Sequence, residues 1–180
     1  MLANKFHREQ ARSYKPMRKS LPMNIPTSPA NPHTRDLRKG RFSEPGHTYL
    51  LTAVVHKRRP IFSDCSIGRL LVAELHAAEE DGLAQSQAWL VMPDHLHWLI
   101  TLQTGTISKL MQCIKGHSAI SINRALGNQG QLWQKGFHDR AIREEEDLQA
   151  IARYVVANPL RAGLVDKIGD YPLWDAIWLR

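Results

Sequence analysis

Two histidines one residue apart, His95 and His97, stand in the stretch VMPDHLHWLI at residues 91–100. Short apolar runs flank the turn dipeptide Pro93-Asp94, a pattern that predicts a strand, a tight connection and a second strand. Successive strand side chains point to opposite faces, so His95 and His97 share one face while Leu96, Trp98 and Ile100 share the other. Two neutral imidazoles roughly 7 Å apart along a strand can converge on one metal ion. Spacing alone leaves open a plainer reading, two polar residues on the wet face of an edge strand. A longer His-x-His-x-His hydrolase motif fails at its third position, which is Leu99.

A second chemically suggestive stretch lies near the C-terminus. Taking ~100° per residue from Leu148, Ile151 and Val155 make a buried stripe on a predicted helix from residue 145 to about residue 157. Tyr154 and Asn158 are then neighbours at i, i+4 beside the docking edge. Pro159 is expected to end the helix there, because the residue before a proline is pushed out of helical geometry. A phenol beside an amide is compatible with packing at a core rim. Added to two histidines on a sheet face, though, a tyrosine nucleophile and an amide oxygen as third ligand make up the parts of a metal-assisted attack on a phosphodiester.

The elements that must position these groups follow from the patterning. Residues 48–56 are rich in β-formers and predict a first strand, ended by Lys57-Arg58-Arg59-Pro60. Ser63 or Asp64 can cap a helix whose Ile67, Leu70, Leu71, Leu75 and Ala78 form one stripe, stopped at Asp81-Gly82. Strands at about 87–92 and 95–101 follow. A second helix starts near Ser108, with Ile107, Leu110, Met111, Ile114 and Ile122 inward, and closes near Gly127. The mixed aromatic and cationic residues 131–143 predict a strand or short hairpin, and Glu144 to Asp147 place four carboxylates in the first turn of the third helix. The order β, α, β, β, α, β plus a further helix predicts an α+β, ferredoxin-like (RRM- or palm-like) antiparallel sheet with helices on one face and a C-terminal catalytic helix.

At 180 residues and 20.5 kDa, with 43% hydrophobic residues, the chain suits one core with appendages. No window is apolar enough for a membrane span or a signal core, so a cytoplasmic, nucleoid-associated protein without a membrane partner is expected. Cys65 and Cys113 have no paired spacing, which argues against a disulfide framework or a cysteine zinc site. The net charge of +7 is localised: residues 1–41 hold ten Lys or Arg against Glu9 and Asp36, whereas the remainder is nearly neutral. Rich also in proline, residues 1–41 read as a disordered basic arm, residues 42–165 as the domain and 166–180 as a tail with apolar groups to dock. Basic arms gain affinity for nucleic acid by counterion release. The other reading of the arm is a solubilising segment or a misplaced start, with Met17 and Met23 as further start positions.

MPDHLHWLI at 92–100 resembles the His-hydrophobic-His motif of the single-tyrosine HUH transposases. WQKGFHDR at 133–140 and YVVANPLRAGLV at 154–165 are similar to their branch associated with repetitive extragenic palindromes, and the resemblance runs from about Arg38 to Trp174. It implies an endonuclease and strand transferase acting on single-stranded palindromic hairpins, with Tyr154 as nucleophile, His95 and His97 as metal ligands and Mg²⁺ or Mn²⁺ as cofactor. Asn158 stands where relatives place the remaining ligand, often Gln, and Asp94 where they often have Asn. The product would be a 5′-phosphotyrosine and a free 3′-hydroxyl. DNA contacts are expected from Lys57, Arg58, Arg59, Lys109, Lys115, Lys135 and Arg140, with Trp133, Phe137 and Trp98 available to stack on bases or to pack in the core. Relatives include monomers and homodimers. Two alternatives stay open: a domesticated hairpin-binding protein that cleaves little, and a metal-dependent phosphohydrolase with a water nucleophile.

Overall fold

In the computed structural model of this protein, which describes residues 43–143 and 146–178, the anticipated order of elements is present. The strands and helices are β1 (Thr48–Val54), α1 (Cys65–Glu80), β2 (Ala84–Met92), β3 (His95–Leu102), α2 (Ile107–Leu126), β4 (His138–Ala141), α3 (Leu148–Val156), α4 (Asn158–Arg161) and β5 (Trp174–Ala176). The expected arm at residues 1–41 lies outside the described residues, as do Glu144 and Glu145. Every neighbouring strand pair is antiparallel, in the order β4-β1-β3-β2-β5. The first four strands with α1 and α2 are the ferredoxin-like α+β arrangement. No helix among the described residues is long and apolar enough to cross a membrane.

Strand alternation sorts the sheet into two faces. Leu51, Ala53, Leu96, Trp98, Ile100 and Leu102 face α1 and α2, where Leu71, Leu75, Ile107, Met111 and Ile114 close the main core. Trp98 is fully buried with its indole N–H donating to Ser86 Oγ at 3.1 Å, and Trp133 does the same to Ser118 Oγ at 3.1 Å. Each indole buries on the order of 200 Å², worth up to about 5 kcal/mol of hydrophobic stabilisation. Both are therefore core residues, and Phe137 packs half-buried on the same cluster. Cys65 and Cys113 are free and half-buried.

The helix ends follow local chemistry. Asp64, not Ser63, caps α1, accepting from Ser66 N at 2.9 Å, and Thr106 caps α2, accepting from Lys109 N at 3.2 Å. Gly127 ends α2 at φ +62°, a conformation costly for side chains with a Cβ. β2 starts at Ala84, earlier than its pattern suggested, because a bulge between Ser86 and Ala88 breaks the period-2 signal.

α3 lies on the other face of the sheet. Its Ala152, Val155 and Val156 cover Ala88, Leu90, Met92 and Leu99. It begins at Leu148, three residues after the expected start, because Asp147 acts as cap, accepting from Ala150 N at 3.0 Å. Glu146 is used outside the helix, accepting from Arg143 N at 3.0 Å and from the Arg140 guanidinium. The tail is built into the sheet: β5 pairs with β2, Val91 N donates to Leu173 O at 2.9 Å, and the Tyr171 hydroxyl donates to Val91 O at 2.8 Å. Leu173 packs where Gly68 of α1 has no side chain, and a Cβ there would run into it.

Candidate active site

The register of the sheet sets the histidines. On β3, His97 lies across from Thr52 of β1 and Leu90 of β2, and His95 across from Val54 and Met92. Both rings stand on the α3 face, perpendicular to each other, with Nε2 atoms 3.1 Å apart. Each outer nitrogen is held. His95 Nδ1 donates to Asp94 Oδ1 at 2.5 Å, and His97 Nδ1 lies 2.9 Å from Thr52 Oγ1. Asp94 is itself fixed, its Oδ2 accepting from Arg58 at 3.0 Å. Burial alone would raise the Asp94 pKa, but the hydrogen bonds and charges of His95 and Arg58 outweigh it and hold the carboxyl below its ordinary value of 3.8. Arg58 and its neighbour Lys57 take left-handed backbone, φ +50° and +58°. For non-glycine residues such strain is of the kind that gathers at functional sites.

His97 is pushed down to about 3, by burial first and then by the positive charges of His95 and Arg161, with Asp94 opposing. A neutral His97 can carry its proton on Nε2, donating to His95, or on Nδ1, donating to Thr52, whose hydroxyl serves as donor or acceptor. In the second tautomer both Nε2 atoms carry free lone pairs, 3.1 Å apart. The residues fit a divalent cation: ligands at about 2.1 Å on adjacent corners of an octahedron lie about 3.0 Å apart, close to the separation seen here. Among the described residues no three or more His, Cys, Asp or Glu side chains gather as a metal group, so among them a further ligand would come from another residue type, such as the amide oxygen of Asn158.

Tyr154 near the end of α3 and Asn158 at the start of α4 are linked through Arg161. Sequence reasoning kept both on one helix; in the structure α3 stops at Val156 and Asn158 opens α4, with Pro159 in its first turn. The Asn158 amide is engaged at both ends. Its Nδ2 donates to Val155 O at 2.7 Å, and its Oδ1 accepts from Arg161 Nη2 at 2.8 Å. Arg161 also donates to Tyr154 O at 2.6 Å and lays its guanidinium over the Tyr154 ring, 4.1 Å from the centroid. Tyr154 is 47% exposed. Arg161 thus touches the candidate nucleophile and the candidate third ligand, and its charge reaches His97. Sequence reasoning gave no role to Arg161, although it stands inside the quoted motif, nor to Thr52, whose partnership with His97 depends on strand register.

The expected DNA-contacting cations divide by position. Lys57 and Arg58 flank the Asp94–His95 end. Arg140, opposite Leu50 on β4, is on the histidine side of the sheet and paired with Glu146. Lys109 and Lys115 belong to α2, on the opposite layer, where Lys115 donates to the carbonyls of Gln134 at 2.8 Å and of Gly136. Arg59 reaches Gln131 O at 3.4 Å, and Lys135 is exposed on the loop that Lys115 fastens.

Three comparisons bear on this geometry. The family profile described as "Transposase IS200 like" matches residues 44–158. A REP-associated tyrosine transposase of Escherichia coli strain K12 is 27% identical over 134 residues, 73% of this chain and 78% of that protein. A solved structure of a REP-associated tyrosine transposase bound to a REP hairpin superposes with a TM-score of 0.63 at 26% identity, covering 74% of this chain and 79% of that one.

Proposed function

This chain belongs to the IS200-like transposase family, and from that premise we propose that it cleaves and rejoins single-stranded DNA at palindromic hairpins, with Tyr154 as the nucleophile. The observation that carries the reading is the convergence of His95 and His97 Nε2, 3.1 Å apart, on the sheet face covered by the helix that bears Tyr154. The solved relative bound to a REP hairpin supports hairpin DNA as the substrate class.

His95, His97 and Asn158 would hold Mg²⁺ or Mn²⁺, which when bound polarises the scissile phosphate. The chain's own residues do the rest. Asp94 and Thr52 fix the ring orientations from behind, as outer partners of metal-binding histidines do. Tyr154, exposed at the helix end, attacks phosphorus in line. The phosphorus–oxygen bond to the 3′ side breaks as the new phosphorus–oxygen bond to Tyr154 forms, and the phenolic proton, passed through solvent, ends on the departing oxygen, which leaves as a 3′-hydroxyl. The 5′-phosphotyrosine keeps the phosphodiester energy for rejoining, so no nucleotide cofactor is needed. Lys57, Arg58 and Arg140 would neutralise backbone phosphates on this face, while Lys109, Lys115, Arg59 and Lys135 would serve strand segments that pass round to the other layer. A second reading, hairpin binding without cleavage, is favoured by one observation: both ends of the Asn158 amide are already bonded within the protein. The test is a covalent protein–DNA adduct that requires Tyr154.

A further inference from the structure

Arg161 is anchored at three points, and two of them are groups that the proposed chemistry uses. Its Nη2 donates to Asn158 Oδ1 at 2.8 Å and to Tyr154 O at 2.6 Å, while its guanidinium carbon lies 4.1 Å from the Tyr154 ring centroid. Asn158 is pinned from its other end by the bond to Val155 O, so the oxygen cannot leave Arg161 by simple rotation of the amide without breaking that bond. An amide oxygen has two lone pairs, but a guanidinium on one and a divalent cation on the other would bring like charges within a few ångströms of each other on a half-buried asparagine. The two cations therefore compete.

From this we infer that Arg161 is a positioning residue that controls the third ligand: it holds Asn158 Oδ1 and the Tyr154 ring together, and a divalent cation must displace it to take that oxygen. This inference rests on the metal role proposed for His95, His97 and Asn158. Arg161 then lowers metal affinity, and completing the coordination and unstacking Tyr154 become one event.

Calorimetric titration of the full chain with Mn²⁺ tests it. Arg161→Met, which keeps the stem and removes the fork, binds Mn²⁺ roughly tenfold tighter than wild type, the scale of one charged hydrogen bond. In an Asn158→Ala background the same substitution gives no gain. No tightening, or a gain that persists without Asn158, overturns the inference, the latter because it reports only removal of a nearby charge. Wild-type protein offers a second readout: the Tyr154 ring resonances shift as Mg²⁺ saturates the site and the guanidinium leaves, and ring resonances that stay fixed overturn the inference as well. If no Mn²⁺ binding is found that His97→Ala abolishes, the metal role itself falls, and the inference with it.

Discussion

The side-chain amide of Asn158 donates to the carbonyl of Val155 at 2.7 Å, the acceptor that Pro159, lacking an N–H, leaves without its helical partner. The chain bends at this point without ending, and α4 carries Arg161 back over Tyr154. One asparagine thus repairs the break, and its oxygen faces the arginine that the bend returns.

Asn158→Ala should leave the Val155 carbonyl without that partner and cost about 1 kcal/mol. For a domain of this size that is a fall of about 2–4 °C in melting temperature. An unchanged melting temperature would show that solvent replaces the bond without loss.

Thr52 is the outer partner of His97, and the substitution Thr52→Val keeps its shape while removing the hydroxyl. Mn²⁺ affinity should drop about 10- to 100-fold, as for other outer-shell partners of metal-binding histidines, while Thr52→Ser restores it. Equal Mn²⁺ affinity in Thr52→Val and wild type would mean that strand register alone orients the ring.

Much of this site is legible in the sequence. Strand alternation is a local rule, so His95 and His97 on one face, and Trp98 on the other, followed from their spacing. Helical periodicity likewise placed Val155 inward and Tyr154 at the edge. What was not legible depends on long-range pairing or on how a break is mended. Thr52 meets His97 across a register that links residues 45 positions apart. α3 occupies the face opposite α1 and α2, which no one-dimensional pattern distinguishes from theirs. β5 is three residues long and exists through its pairing with β2. α3 ends at Val156, close to the expected end, but not for the reason expected: Asn158, the residue before Pro159, is helical and opens α4, with Pro159 in its first turn.

Gly68 lies against Leu173, with no room for a methyl group between them. Gly68→Ala should therefore push Leu173 from its buried seat at a cost of about 1–3 kcal/mol and loosen β5. Hydrogen exchange at residues 174–176 should quicken relative to β3. Unaltered exchange there would show that the Leu173 side chain can move aside without disturbing the strand.

Tyr171 gives the fold an alkaline limit. Burial, and then the neighbouring Cys65 and Asp94, raise its pKa from 10.0 to about 12. The folded state thus favours the protonated phenol, which donates to Val91 O. The contribution is complete below pH 10 and is lost as pH rises from 10 towards 12, because the unfolded chain gives up that proton first. Denaturant midpoints followed between pH 9 and 12 should fall less steeply in Tyr171→Phe than in wild type. Parallel curves would contradict this assignment.

The proposed reaction joins Tyr154 covalently to DNA. Full-length protein is incubated with Mn²⁺ and single-stranded hairpin DNA built from palindromic repeats of its own genome, then run on a denaturing gel. Wild type should yield a shifted protein–DNA band together with a fragment ending in a 3′-hydroxyl, and Tyr154→Phe should yield neither while still binding the hairpin. Cleavage of equal strength in both proteins with no adduct would rule out Tyr154 as the nucleophile and point to a water nucleophile.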